Sequence, residues 1–348
     1  MAAISFPRLT QVMQHALNLP NEPLLTDITP NDGNIRRLQL PPGVTGEQYE
    51  ILIKSYLEPV FNHVFKTLQE IIPKIFPDVC LVVTGGDALN YYMDAQRQIT
   101  SHDWDIRIVS LDPDFPWEND RIHTNIQQNY HDLRLFVLNT FKDAFNAFLY
   151  GQRILRANGN PNMLDTLGKS YLLDTVFYVN DMSNDPRWTS GQVWLSALMF
   201  NYEANQQLHS SSIIDVTVYG KGVTDWNYLG AHSHGHYYPK QKNFNGLKDN
   251  GTAYANLDDE LTELSHRIMG KSNPSLVYKT IEVIITDDQT GVSYMTPGDL
   301  TNDTLRMVLV SAKNHQRGDD NNQKLDRYVN KYVNLIQSLN VFTSYMSC

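Results

Sequence analysis

The chain has 348 residues, 41% of them apolar, which is enough for a packed core and two domains and excludes an intrinsically disordered protein. Its formal net charge is −10, so a polyanion such as RNA must bind at a local cationic patch or through a metal ion. Two cysteines, Cys80 and Cys348, are too few for a disulfide framework. With neither an apolar run of membrane-spanning length nor a signal-peptide pattern, we expect a cytoplasmic or nuclear protein that does not contact membranes.

The first predicted elements lead into a glycine turn. Residues 1–45 are rich in Pro, Asn and other polar residues and predict an irregular arm with a short helix near Leu9 to Leu17. Apolar residues at helical spacing predict a long helix from Gly46 to Phe76. The apolar run from Cys80 to Thr84 predicts a strand, which ends at Gly85-Gly86 and is followed by a helix.

Strands are predicted mainly in the middle of the chain and helices towards its end. The middle should contain a strand at Asp103 to Ser110 and a helix at Ile126 to Leu155. Three more strands should follow, at Tyr171 to Val179, Gly191 to Tyr202 and Ser211 to Gly220. The stretch from Lys221 to Gly251 is dense in Gly, Asn, Tyr and His and predicts a loop-rich linker with a domain boundary. After it we expect a helix at Leu257 to Met269, a strand at Ser275 to Thr286, and helices at Thr296 to Ala312 and Gln323 to Leu339.

Two aspartates one residue apart mark the strand that follows the glycine turn. Side chains alternate along a strand, so Asp103, Asp105 and Arg107 should share one face, while Trp104 and Ile106 point to the other. A strand with apolar packing behind it and carboxylates in front is typical of a metal site.

A third acid, Asp215, is predicted on a later strand among apolar neighbours, where a bound cation would explain it. Phosphoryl transfer by two metal ions uses such a set of carboxylates to hold ions that contact the attacking and leaving oxygens. Gly85 and Gly86 allow the backbone to approach a ligand closely, and the N–H groups at the start of the next helix favour a triphosphate. These features together predict a nucleotidyltransferase site.

The order of these motifs resembles the DNA polymerase β-like nucleotidyltransferase superfamily. Gly85, Gly86, Asp103, Asp105 and Asp215 match its pattern, although the glycines and the acids are somewhat further apart here than in many members. The resemblance implies an α/β (α+β) fold with a mixed sheet flanked by helices, and a mostly helical C-terminal domain.

Within that superfamily the layout is most similar to the poly(A) polymerases of large cytoplasmic DNA viruses. This similarity implies an N-terminal arm over 1–45, a catalytic domain over 46–225 and a C-terminal domain over 226–348. It also implies template-independent addition of AMP from ATP to RNA 3′ ends, with two Mg²⁺ or Mn²⁺ ions. Asp103 and Asp105 would bridge both ions, Asp215 would complete the ion that activates the 3′-hydroxyl, and the location would be the viral factory or the virion.

Other residues are candidates for nucleotide binding. Ser101, which precedes the acids, and Arg107, which shares their face, are expected to contact the nucleotide, as are Lys324 and Arg327. For Arg107 the alternative is an ion pair with one of the acids. The last two belong to the densest basic stretch, which comprises Lys313, His315, Arg317, Lys324, Arg327 and Lys331. A solvated helix face is the alternative for that stretch. His232, His234 and His236 alternate in a Gly- and Tyr-rich loop, where they either bind a metal or belong to a loop that is solvated or contacts RNA.

Three functions stay open from the sequence. The first is the RNA adenylyltransferase. The second is a nucleotidyltransferase that modifies a protein, a tRNA or a small molecule, since Gly85 to Leu89 and Ser101 are also similar to bacterial nucleotidyltransferase toxins. The third is an inactive relative that serves as an interaction subunit. The acidic net charge suggests that a homodimer or a processivity subunit completes any RNA-binding track.

Overall fold

A computed structural model describes residues 6–19, 38–77, 79–110, 124–160, 163–181, 195–220, 285–297 and 322–346, with pairs of residues between 300 and 312. The helices are α1 (Phe6–Ala16), α2 (Gly46–Ile75), α3 (Gly85–Tyr92), α4 (Thr124–Ala157), α5 (Met163–Thr166) and α6 (Asn322–Met346), with a 3₁₀ turn at Ser170–Asp174. The strands are β1 (Leu38–Gln39), β2 (Val79–Thr84), β3 (Trp104–Ser110), β4 (Phe177–Asp181), β5 (Leu195–Ala204), β6 (Gln207–Gly220), β7 (Ile285–Thr286) and β8 (Ser293–Tyr294).

The eight described strands form one mixed sheet in the order β1-β5-β6-β3-β2-β8-β7, with β4 also paired to β5. The central strand β3 runs parallel to β6 and antiparallel to β2. β5 and β6 form a hairpin whose two turn residues, Asn205 and Gln206, both have positive φ angles. Such angles give a hairpin turn whose twist matches that of the flanking strands. The fold is therefore mixed α/β, as predicted.

Helices α2 and α4 cover one face of the sheet, and aromatic side chains fill the space between them. The Trp104 ring of β3 stacks on Phe61 of α2, with ring centroids 4.2 Å apart, and also contacts Phe145 of α4. Helix α2 begins with a capping box, in which the Thr45 hydroxyl accepts from the Gln48 N–H and the Gln48 side chain accepts from the Thr45 N–H. This packing leaves the opposite face of β3 for polar side chains.

A smaller apolar cluster joins α3 to the C-terminal part of the chain. It contains Ala88, Leu89, Tyr92, Met93, Met295, Leu300 and Leu335. β8 pairs with β2 through Val83 and Tyr294, and the Met295 N–H donates to the Val83 carbonyl at 2.9 Å. Residues beyond the predicted boundary at 226 thus belong to the same sheet as the residues before it. The division into domains itself stays a prediction.

Several predicted elements are confirmed. The long helix, the strand before the glycines, the carboxylate strand and the helix after it are all present, and the described residues between 297 and 312 are helical. The strand predicted at Tyr171 to Val179 is wrong in its first half, where the chain forms the 3₁₀ turn. The arm contains α1 as expected and also β1, whose Leu38 is buried against the sheet.

Some predictions lie outside the described residues. They include the linker, the helix at Leu257 to Met269, most of the strand before Thr286 and the three histidines at 232, 234 and 236. Among the helices that the structure describes, none has the length and apolar content needed to cross a bilayer.

Candidate metal and nucleotide site

The three predicted acids meet where β3 begins, beside the interior of β6. Asp105 of β3 lies directly beside Asp215 of β6 in the parallel register, and Asp103 precedes β3 by one residue. One carboxylate oxygen from each lies within 4.8 Å of the others. We call Asp103, Asp105 and Asp215 the Asp triad.

Strand alternation places the triad as the sequence indicated. Trp104 and Ile106 of β3 are buried under the helices, whereas Asp103, Asp105 and Arg107 are half-buried on the opposite face. On β6 the neighbours Ile214 and Val216 are fully buried. The apolar side chains anchor both strands, so the carboxylates are held on a rigid support.

Burial and mutual repulsion disfavour charge on the triad. Burial, followed by Asp105 and then Asp215, raises the pKa of Asp103 well above its usual range. Burial and the neighbouring Asp105 raise the pKa of Asp215 to about 7. At Asp105 burial also raises the pKa, against the opposing effect of Lys331 and Arg107. A site that crowds three acids in this way is suited to a cation, which removes the repulsion.

Gly85 and Gly86 are required by the triad and its neighbours. Gly85 has a φ angle of +63°, and a β-carbon there would collide with Oδ2 of Asp105. A β-carbon on Gly86 would lie 2.8 Å from Oγ of Ser101. The glycines let α3 start directly beside the carboxylates, which brings its N-terminal N–H groups to the site.

Lys54 of α2 is a residue beside the triad that sequence reasoning missed. Its side chain is buried, and its ammonium donates to both carboxylate oxygens of Asp87, at 2.8 and 2.6 Å, and to Oγ of Ser101 at 2.8 Å. It also donates to the main-chain carbonyl of Asp103 at 2.8 Å. The only sequence signal was a lysine between the buried apolar residues Ile53 and Leu57.

A cavity of about 1050 Å³ opens in front of the triad. Arg107, Arg327 and Lys331 contribute to its lining and form what we call the cationic wall. Lys331 is close enough to Asp105 and Asp103 for their charges to oppose the fall in its pKa that burial causes. Helix α6 thus presents positive charge to the acids of the sheet.

A second part of the cavity lining is acidic. Glu47 and Glu50, on the first turns of α2, line the cavity together with His102. The His102 Nδ1 atom lies 3.6 Å from the Glu50 carboxylate. We call Glu47 and Glu50 the acidic rim, and the cavity lining thus contains acidic as well as basic side chains.

The other predicted site residues are placed as follows. Gly85, Gly86, Ser101, Arg107 and Arg327 all line the cavity. The Ser101 hydroxyl is engaged within the protein, where it donates to the Asp103 carbonyl at 2.9 Å. Lys324 belongs to α6, but its side chain lies outside the described part of the structure.

The donor set fits a hard divalent cation. Carboxylate oxygens are the ligands that Mg²⁺ and Mn²⁺ prefer, and three of them converge here beside a cavity. The Asp triad could therefore hold a metal ion. Comparison of the chain with family models, with curated proteins and with solved structures found no match.

Proposed function

We propose that the protein is a metal-dependent nucleotidyltransferase that adds AMP from ATP to the 3′ end of RNA. One observation carries the proposal: three carboxylates from neighbouring segments of one sheet converge at a cavity whose other side carries Arg327 and Lys331. A nucleoside triphosphate site needs carboxylates that hold divalent metal ions and basic side chains that hold the phosphates, and both are present here.

The acids have separate tasks in this reaction. Asp103 and Asp105 would hold the nucleotide-bound ion, and together with Asp215 they would hold a second ion next to the acceptor hydroxyl. When bound, such ions supply charge stabilisation at the transferred phosphate and make the hydroxyl easier to deprotonate. The new bond joins the acceptor oxygen to the α-phosphorus, and the bond to pyrophosphate breaks.

The cationic wall would bind the triphosphate. Lys331 and Arg327 of α6 and Arg107 of β3 can donate to phosphate oxygens, and the first N–H groups of α3 can add neutral donors. Positive groups fixed by the fold stabilise the developing charge on the leaving pyrophosphate without rearranging during the reaction. The cavity volume of about 1050 Å³ accommodates a nucleotide and the end of an acceptor.

The acidic rim favours a second candidate function. Glu47 and Glu50 would repel an incoming phosphate backbone, whereas they would attract a cationic acceptor such as an amine-bearing small molecule or a basic protein segment. The transfer chemistry at the triad is the same in both cases. The two candidates differ only in the acceptor.

Primer extension tests the proposal. Labelled RNA is incubated with each nucleoside triphosphate separately and with Mg²⁺ or Mn²⁺, using the wild-type protein and the Asp103→Ala/Asp105→Ala variant. A ladder that requires ATP and is lost in the variant is the expected result. Nucleotide incorporation into a basic acceptor protein but not into RNA would favour the second candidate. Folded protein that transfers nucleotide to neither acceptor would contradict both.

A further inference from the structure

The ammonium of Lys54 joins its own helix α2 to two other segments next to the Asp triad. It donates to Asp87 of α3 and, in the segment before β3, to Oγ of Ser101 and the carbonyl oxygen of Asp103. An ammonium has three N–H donors, and these three partners use all of them. The Asp103 carbonyl accepts a further bond from the Ser101 hydroxyl at 2.9 Å.

The surroundings of Lys54 fix the position of its ammonium. Lys54 lies on the buried face of α2, with its ammonium 5.1 Å from the centre of the Trp104 ring. Lysine is rarely buried so fully unless each of its donors has a partner. Because the side chain is held by packing on α2, the position of its ammonium is set by the helix rather than by the loop that it contacts.

We infer that Lys54 is a positioning residue for the metal site proposed above: it holds the main chain of Asp103 so that this carboxylate points at Asp105 and Asp215. Asp103 needs such support because it lies one residue outside β3, where no strand pairing fixes its main chain. The inference rests on the proposed function, since it concerns the same triad.

A simpler role for Lys54 would be to neutralise the half-buried Asp87 carboxylate, which lies 2.6 Å from its ammonium. The double variant Lys54→Met/Asp87→Asn separates the two roles. It removes one positive and one negative charge, so the net charge near the triad stays that of the wild type. Neither partner is left as a buried unpaired ion, which is the usual cause of large destabilisation. A lower metal affinity in the double variant then shows that Asp103 is no longer held in position.

The affinity for Mn²⁺, measured from the electron paramagnetic resonance signal of the free ion, provides the test. Asp215→Asn identifies the ions bound at the triad, because it removes one of their ligands. We expect the double variant to bind Mn²⁺ at the triad about tenfold more weakly, or weaker still, as is usual when a group that orients a metal ligand is lost. Lys66→Met is the matched control, since Lys66 is an exposed lysine of the same helix that does not line the cavity.

Each outcome has a separate meaning. Unchanged Mn²⁺ affinity in a folded double variant overturns the positioning role and leaves the proposed function standing. Wild-type protein that binds no Mn²⁺ at the triad overturns the proposed function and this inference together. If circular dichroism shows the double variant to be unfolded, Lys54→Arg replaces it: the charge stays, but the larger guanidinium cannot place a donor where the ammonium meets Asp103. Its Mn²⁺ affinity should then fall about tenfold, and an unchanged value overturns the role.

Discussion

The Asp215 carboxyl destabilises the metal-free fold at neutral pH. Its pKa is raised from 3.8 to about 7, chiefly by burial, so the unfolded chain loses this proton first as the pH rises. The contribution of Asp215 to the free energy of unfolding is therefore greatest below about pH 4 and decreases until the pH passes about 7. We expect Asp215→Asn to raise the free energy of unfolding at pH 8 by about 1–3 kcal/mol while it removes a metal ligand.

Thermal unfolding in EDTA at pH 5 and pH 8 checks this expectation. The advantage of the variant over the wild type should be larger at pH 8 than at pH 5. Asp288→Asn serves as the control, because Asp288 is exposed in the turn between β7 and β8. An Asp215→Asn variant that unfolds below the wild-type temperature at pH 8 would show that the carboxylate stabilises the metal-free protein.

The same carboxyl makes metal binding depend on pH. A proton and a cation compete for Asp215, and the proton leaves only when the pH exceeds about 7. The affinity for Mn²⁺ should therefore rise about tenfold between pH 6 and pH 8. Titrations at several pH values measure this, and an affinity that is constant across the range would mean that the bound ion does not depend on Asp215.

Gly85 matters for a reason that its sequence context did not reveal. The glycine pair predicted close approach of the backbone to a ligand, whereas the structure shows that Asp105 itself occupies the space of a Gly85 side chain. Gly85→Ala adds the strain of a positive φ angle, about 1–2 kcal/mol, and displaces Asp105. We expect the Mn²⁺ affinity to fall at least about tenfold, as it usually does when a group that orients a metal ligand is lost.

The matched control for this variant is Gly151→Ala. Gly151 is in helix α4, and apart from its chain neighbours and the adjacent backbone of its own helix no atom lies within 4 Å of an added β-carbon, so alanine should stabilise the helix by up to about 1 kcal/mol. Calorimetric Mn²⁺ titration of both variants distinguishes the site from general glycine effects. Normal Mn²⁺ binding by folded Gly85→Ala would contradict the close packing of Asp105 on Gly85.

Among the elements, helix α6 can be tested by itself through Lys331, which it brings close to the triad. Lys331→Met should have opposite effects on the two ligands. Nucleotide affinity should fall about tenfold, since one charge-assisted bond to phosphate is lost. Affinity for the metal alone should not fall, because a cation that repels the ion has gone. Binding of a fluorescent ATP analogue and of Mn²⁺, measured separately, tests both signs.

Lys142→Met is the control for Lys331→Met, since Lys142 lies on α4, where it pairs with Asp143 outside the cavity lining. Its affinities for both ligands should match the wild type. Unchanged nucleotide affinity in Lys331→Met would place the triphosphate elsewhere in the cavity. A joint fall in both affinities would instead indicate that Lys331 supports the structure of the triad.

At the scale of elements, the sequence was informative wherever one face is buried. The alternation around Asp103 and Asp105 predicted both the strand and the direction of its side chains, because an apolar face fixes the register. Strand β8 was not predicted, because two residues carry no periodicity. Lys54 gave almost no signal, since a lysine on a helix is usually solvated and its partners lie 33 to 49 residues away.

On the scale of the whole molecule, the chain after residue 284 completes the structure that holds the site. β8 extends the sheet beside β2, and Leu300, Met295 and Leu335 cover the buried side chains of α3. A protein ending at residue 225, the predicted edge of the catalytic domain, would expose Leu89, Tyr92 and Met93 together. Each large apolar side chain contributes about 1.5–3 kcal/mol when buried, so the loss is comparable to the whole stability of a domain.

We therefore expect the 1–225 fragment to be insoluble or to unfold without cooperativity, whereas a protein ending at residue 346 behaves like the full chain. Circular dichroism during thermal unfolding, with limited proteolysis, compares the two truncations. The physical reason is that α3, whose N-terminus lies beside the triad, has its other side against the C-terminal segment, so the site cannot keep its geometry without that segment. A soluble 1–225 fragment that unfolds cooperatively and binds Mn²⁺ would show instead that residues 1–225 form an independent domain.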